Sequence, residues 1–296
     1  MHKVKGVNML IQRRGFLKGL GLATCAGLSL EPCFASMVSL PKGQSKDVKF
    51  FSDQRILALS ERYDIILDSF GSTAELIDIL GQKASLKRPN INPLAPATMP
   101  HYVSATHVFD DSIVLLDKSH RQLDFFQHGN FQKSIDLSSY TQNPSQIYQD
   151  GESLWIIDSA THSAISMDIN GRIISQFGQL GTESGRLNAP IDIAVDQDGL
   201  THILEMGNQR ISVWSKQGKW QGSYGEKSLT AGSRKLVLND HANQTLVIDS
   251  WKQTLLSLDP MGKHDIALPF DGLTPERFTS LTYLSTAPGK SLYLSA

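Results

Sequence analysis

His101, His107 and Asp192 are the residues of this chain that come nearest to a metal-binding set. Zinc asks for about three His or carboxylate ligands plus water, and calcium for six to eight oxygens, several of them from carboxylates. Of nine histidines, only His101 and His107 fall on or beside strands that the internal repeat makes innermost; His202 and His241 belong to a second strand and a turn. No triad assembles by spacing. No cofactor is therefore expected, with a divalent metal at a central channel kept as the alternative. Gly178, Gly181 and Gly185 have the look of a phosphate-cradling loop, but such loops aim backbone N–H groups and a helix N-terminus at the anion, and no helical pattern follows them. There is no GxSxG elbow, no HExxH and no EF-hand pattern, so no catalytic set is expected.

The elements that must position these residues are short strands. Across residues 175–225 the period-two runs PIDIAVD, LTHILE and RISVW are separated by the turn formers Asp198-Gly199, Gly207-Asn208 and Gln217-Gly218, with a fourth strand expected at Trp220 to Tyr224. The cassette recurs. An acidic residue ending the second strand is followed by a turn glycine at Asp68/Gly81, Asp117/Gly129, Asp158/Gly171, Glu205/Gly218 and Asp249/Gly262, separated by 13, 12, 13, 13 and 13 residues. Successive acidic marks lie 49, 41, 47 and 44 residues apart, the period of propeller blades. A sixth unit is split between the termini: FTSLTYLS and SLYLS, within Phe278 to Ser295, supply inner strands, and residues 36–51 supply outer strands. The expected fold is all-β, a six-bladed β-propeller of four-stranded antiparallel blades, closed by N-terminal outer strands pairing with C-terminal inner strands.

The proline, apolar strand, Asp-x-x-Gly, second strand, Asn-x-Arg-Ile and aromatic of this pattern stand as Pro190, Asp196 to Gly199, Asn208, Arg210, Ile211 and Trp214, and the stretch resembles an NHL repeat. The acidic marks read as turn chemistry, since an Asp at a strand end hydrogen-bonds backbone two residues on. Trp155 and Trp214 read as inter-blade core. Inner strands start near Arg55, Ser104, Gln146, Asp192, Lys235 and Ser280, a mixed polar ring in which Arg55, Gln146, Asp192 and Lys235 are the ligand or partner candidates at the channel mouth. Two irregular segments, Leu86 to Pro100 and Leu268 to Arg277, are candidate contact surfaces.

Residues 1–35 read as a targeting segment and 36–296 as the propeller. Gln12-Arg13-Arg14-Gly15-Phe16-Leu17-Lys18 resembles the twin-arginine export signal of bacteria, with Arg13, Arg14, Phe16, Leu17 and Lys18 carrying the resemblance. The uncharged run from Gly19 to Leu30 is too short to span a bilayer, so no membrane span is expected in the mature chain. Cleavage is expected before Ser36, with acylation at Cys25 as the alternative. Cys25 and Cys33 both lie in this segment, and a chain starting at Ser36 has no disulfide, thiolate metal site or cysteine nucleophile.

The first 35 residues carry five Lys/Arg and one Glu, so of 28 basic and 29 acidic residues 23 and 28 lie beyond them, a net charge of about −5. That balance argues against nucleic acid as a partner. The expectation is an exported periplasmic module that binds or scaffolds protein without catalysis, with the twin-arginine export machinery and a periplasmic redox enzyme as partners. The alternative is a metal-dependent hydrolase or lyase of the six-bladed type, with His101, His107 and Asp192 as its ligands.

Overall fold

A computed structural model of the protein describes residues 54–58, 63–68, 70–78, 82–89, 99–109, 112–239, 244–252, 254–259, 266–269, 280–286 and 289–295. The expected strands at residues 36–51, the leader and most of the second irregular segment lie outside the described residues. Five antiparallel four-stranded sheets follow one another along the chain. The first holds β1 (Gln54–Ala58), β2 (Tyr63–Asp68), β3 (Ala74–Asp78) and β4 (Lys83–Leu86). The second holds β5 (Tyr102–His107), β6 (Ser112–Asp117), β7 (Gln122–Gln127) and β8 (Asn130–Asp136). The third holds β9 (Pro144–Asp150), β10 (Ser153–Asp158), β11 (Ser163–Asp168) and β12 (Ile173–Phe177). The fourth holds β13 (Pro190–Val195), β14 (Thr201–Glu205), β15 (Arg210–Trp214) and β16 (Trp220–Tyr224). The fifth holds β17 (Ser233–Asn239), β18 (Gln244–Asp249), β19 (Thr254–Leu258) and β20 (Ile266–Pro269). A hairpin of β21 (Ser280–Thr286) and β22 (Gly289–Ser295) completes the described chain.

Neighbouring first strands lie side by side: β5 packs on β9, β9 on β13, β13 on β17 and β17 on β21, and the hairpin in turn touches β1. The core is distributed between the sheets. Ile113 and Leu115 of β6 face the first sheet, packing with Ile65, Leu67 and Phe126, while Val114 and Leu116 of the same strand face the third, packing with Ile147, Leu154 and Ile156. In β10 the alternation repeats, with Leu154 and Ile156 on one side and Trp155 and Ile157 on the other. Second strands therefore carry continuous apolar runs, because each is covered on both faces and side chains point alternately to the two. A fully buried Leu or Ile of this kind contributes about 1.5–3 kcal/mol by leaving water.

Trp155 and Trp214 sit in the core between the third and fourth sheets, with Phe177 between them, stacked on Trp214 at 4.6 Å between centroids. The irregular segments start later than the proline pattern implies. Leu86 pairs with Ala74 at the end of β4, and Leu268 and Pro269 pair with Leu255 and Thr254 in β20. Pro269 is tolerated there because β20 is an outer strand, where a missing N–H costs no ladder bond.

Candidate functional site

In every described sheet the first strand begins and the second ends at the same edge, and the acidic marks stand along it. Asp158, wholly buried, shows the basic arrangement. Its Oδ1 accepts from the N–H groups of Ala160 and Thr161 in its own turn, at 2.9 and 2.8 Å. Its Oδ2 accepts from Gln142 and Asn143, at 2.6 and 2.8 Å, on the segment that enters β9. One carboxylate thus ties a turn to the chain entering the first strand of the same sheet. Asp249 does the same with Trp251 and Lys252 N–H on one oxygen and Thr230 Oγ1 on the other.

Glu205 is longer by one methylene and solves the problem differently. Its Oε2 accepts from Asn188 N–H and Asn208 Nδ2 at 2.8 and 2.6 Å, and its Oε1 accepts from Arg210 Nε at 2.8 Å. The Arg210 guanidinium then donates to the carbonyls of Thr182, Glu183 and Arg186, and Asn208 donates to that of Gly181. The Asn-x-Arg of the repeat therefore holds down residues 178–189. Gly178, at φ 93, fits there because a Cβ would meet Leu187 and the carbonyl of His162. The three glycines belong to a connector between sheets, with no helix following.

The turns are also laced to the next sheet. Tyr102 N–H donates to Gly71 O (2.8 Å), Arg121 Nη1 to Thr141 O (3.1 Å) and Ala189 N–H to His162 Nδ1 (2.9 Å). Arg121 and His162 occupy equivalent turn positions in the left-handed region, at φ 51 and 54, as does Gln209 at φ 51. Single non-glycine residues tolerate that region at a modest cost in strain. The result is a clamped face, and on it stand Phe70, Met99, Tyr140, Leu180 and Trp251, with Phe70 78% and Trp251 67% exposed. Among the described residues the remaining exposed large hydrophobics are Phe109, on a turn at the opposite edge, and Ile174, on the outer strand β12.

The nominated channel residues share one register. Arg55, Ser104, Gln146, Asp192 and Lys235 pair with Leu67, Leu116, Ile157, Leu204 and Ile248, each the residue before an acidic mark. Ser280 pairs with Ser295, in the place of the mark itself, so the equivalent residue of the hairpin is Leu281; β21 lacks the bulge that advances the register in β5, β13 and β17. The Asp192 carboxylate is turned to the neighbouring first strand. Its Oδ1 accepts from Lys235 Nζ at 3.1 Å and its Oδ2 from Leu236 N–H at 2.8 Å. Burial pushes this carboxyl above the usual range, against the pull of the Lys235 ammonium and the Leu236 N–H. Ser104 makes the equivalent bond, accepting from Ile147 N–H at 3.3 Å. Asp192 and Ser104 therefore join sheets, while Gln146 and Lys235 are partly exposed.

His101 precedes β5 and His107 ends it. Six residues of extended strand separate them by roughly 20 Å, so a single ion could not take both. Among the described residues no group of three His, Cys, Asp or Glu side chains is placed to hold a metal.

The sequence reading missed a buried polar cluster in the second sheet. Asp117 and Asp124 are both wholly buried, and Arg88 Nη1 lies 3.2 and 3.0 Å from their Oδ2 atoms. Tyr102 Oη donates to Asp124 Oδ2 at 2.8 Å, and Gln122 Nε2 and Ser134 Oγ donate to its Oδ1. His120 Nδ1 lies 2.6 Å from Asp117 Oδ2. Burial, with Asp124 beside it, pushes the Tyr102 hydroxyl far above its ordinary pKa, so it serves as a donor throughout. One signal was available: Asp124 breaks an otherwise apolar strand, QLDFFQ.

Burial acts to raise the Asp117 carboxyl, but hydrogen bonds from His101, Ser119 and His120 outweigh it and hold the group below the usual carboxylate range. A folded-state pKa below the unfolded value supplies stability that is present above the unfolded pKa and lost as pH falls through the folded one. The difference in unfolding free energy between wild type and Asp117→Asn is accordingly expected to shrink as pH drops below about 4. Urea titrations of both proteins from neutral pH down to about pH 2 check this; a difference that stays constant below about pH 4 would contradict it.

No family model matches the chain. It is similar to the human NHL repeat-containing protein 3, at 28% identity over 87 residues, which cover 28% of this chain and 25% of that protein. The match spans about a quarter of that relative's length. Among solved structures, virginiamycin B lyase from Staphylococcus aureus superposes with a TM-score of 0.59 at 12% identity, covering 76% of this chain and 72% of that one. The catalytically inactive form of that lyase with quinupristin gives 0.61 at 11% identity, over 87% and 83%. A chain of the nidogen/laminin complex gives 0.54 at 12% identity, over 73% and 81%. At such identities the likeness shows the fold alone, antiparallel four-stranded sheets in a β-propeller arrangement. No helix among the described residues is long and apolar enough to cross a membrane.

Proposed function

We propose that this chain is an exported, non-catalytic β-propeller that binds a protein partner through its clamped face. The observation that carries the reading is the placement of Phe70, Met99, Tyr140, Leu180 and Trp251, all on one face, on turns and connectors held by strand-end carboxylates, of which Asp117, Asp158, Glu205 and Asp249 are buried and Asp68 half-buried. Exposed apolar side chains gathered on a rigid face mark interaction sites, and aromatic residues are the usual anchors. The NHL-like stretch and the partner-bound nidogen/laminin neighbour support the same class.

The finer reading is a six-bladed ring in which residues 36–51 add the two outer strands to β21 and β22. The body is exported folded by the twin-arginine route and works in the periplasm as an accessory subunit of a redox enzyme. Arg55, Gln146 and Lys235 remain the candidates at the channel mouth.

Gentle isolation of the exported protein tests this. The expected result is recovery with a stoichiometric second chain and less than about a tenth of an equivalent of zinc, calcium or copper; tight specific sites would keep a full equivalent. Recovery as a bare monomer with one tightly held metal would favour the hydrolase or lyase alternative.

A further inference from the structure

Among the described residues, six buried side-chain polar atoms find no hydrogen-bond partner: Trp155 Nε1, Ser166 Oγ, Ser175 Oγ, Thr201 Oγ1, Trp220 Nε1 and Thr254 Oγ1. Five of them gather between the third and fourth sheets, and only that of Thr254, on β19, lies elsewhere. Trp155, Ser166 and Ser175 stand directly opposite one another across β10, β11 and β12. Thr201, Trp214 and Trp220 do the same across β14, β15 and β16. Trp155 and Trp214 belong to the core between these two sheets, Trp220 packs against it, and cross-strand partners share a face, so the two rows are turned towards each other. Trp155 and Ser166 are 1% exposed and Thr201 has no exposed surface. In the two rows only Trp214 has its polar atom satisfied, donating from Nε1 to Ser212 Oγ at 3.0 Å.

The repeat does not require polar groups at these positions. Counted from the acidic marks, the corresponding rows between the second and third sheets are Val114, Phe125 and Lys133 against Leu154, Met167 and Ile173. That seam is apolar, and its one amine donates to Ile169 O at 2.7 Å. Between the fourth and fifth sheets the corresponding His202 and Thr245 are polar but paired, through Tyr224 Oη at 2.9 and 2.7 Å. Of these three seams, the one between the third and fourth sheets alone buries polar atoms in these rows without pairing them. A buried polar atom left unpaired costs more than a typical hydrogen bond contributes, and native proteins carry few.

We infer that this seam binds ordered water, held by Trp155 Nε1, Ser166 Oγ and Ser175 Oγ on one wall and by Thr201 Oγ1 and Trp220 Nε1 on the other. The donor set names the ligand. The indole N–H groups only donate and the hydroxyls both donate and accept, which suits a molecule that itself donates twice and accepts twice. Neither row holds an ionised side chain, so an ion there would be buried without a countercharge. Directly opposite residues keep their Cβ atoms about 4.5–5.5 Å apart, a distance that one water spans with two hydrogen bonds of about 2.8 Å. Such bridges are directional where apolar packing is not, so they hold the two sheets, and Phe177 between Trp155 and Trp214, in one relative placement. The site is independent of the partner that the clamped face takes.

Oxygen-17 magnetic relaxation dispersion, which counts long-lived internal waters, tests this on the purified protein, with urea midpoints beside it. Ser166→Val puts methyl groups where a bridging water would sit and is expected to lower the dispersion amplitude by about one water or more. Ser175→Val, on an outer strand, gives the same reading should the core variant fail to fold. Met167→Leu, in the apolar seam on the other side of the third sheet, is expected to leave the amplitude unchanged. Thr201→Val keeps the side-chain volume and removes only the hydroxyl, and is expected to lower the urea midpoint, because a bonded group is lost. Amplitudes unchanged in both serine variants, or lowered equally by Met167→Leu, overturn the inference. So does an equal or raised midpoint for Thr201→Val, the response of a dry seam relieved of an unpaired group.

Discussion

Arg88→Ala is expected to destabilise the folded protein by about 3–5 kcal/mol, the range for removing one member of a buried charge network. Arg88 Nη1 bridges Asp117 and Asp124, neither of which has any exposed surface, and its own side chain is only 17% exposed. Without it Asp124 keeps its bonds from Tyr102, Gln122 and Ser134, but two carboxylates remain in the core between the first two sheets with no full positive charge beside them. The asymmetry between breaking a network and replacing it gives the control: Arg88→Met with Asp124→Leu should recover only part of the loss, since it removes one of the two stranded carboxylates, leaves Asp117 with its bonds from His101, Ser119 and His120, and takes the acceptor from Tyr102 Oη. Urea midpoints at neutral pH measure both. A loss below about 1 kcal/mol for Arg88→Ala would mean that the hydrogen bonds alone carry the cluster.

Removing residues 36–51 from a chain that starts at Ser36 is expected to abolish the single cooperative unfolding transition, or to cost on the order of 5 kcal/mol, the whole margin of many domains. In the proposed closure the hairpin β21–β22 would then be left with its outer edge unpaired, and a two-stranded hairpin is marginal by itself. Because β21 packs on β17 and β1 also touches the hairpin, fraying there would loosen the neighbours on both sides. Calorimetry distinguishes the cases. A truncated chain melting cooperatively at the parent temperature would refute the closure, and restoration of the transition by a synthetic peptide of residues 36–51 would support it directly.

The strands were legible with little error. Trp220 to Tyr224, LTHILE and RISVW fall where the turn glycines and the apolar alternation place them, because both signals are local: a side-chain period of two and a few backbone-permissive residues. The acidic marks were half legible. Their bonds to the following turn are local, but the second oxygen of Asp158 reaches Gln142 and Asn143, sixteen and fifteen residues away. Asp192 was read as a group open at a channel mouth. Its partners Lys235 and Leu236 are more than forty residues distant and meet it only when β13 packs on β17.

What the sequence determined by itself is the repeat, the class of fold and the register that aligns Ser104, Gln146, Asp192 and Lys235. Tertiary structure alone decided which charges are neutralised, which are displayed and on which side. Arg88 is sequestered by carboxylates 29 and 36 residues away, while Lys252 and Arg234 are left facing solvent. The reason is physical. Hydrophobic patterning is written along one strand, whereas the partner of a charge is set by sheet-on-sheet packing that brings distant turns to a common face.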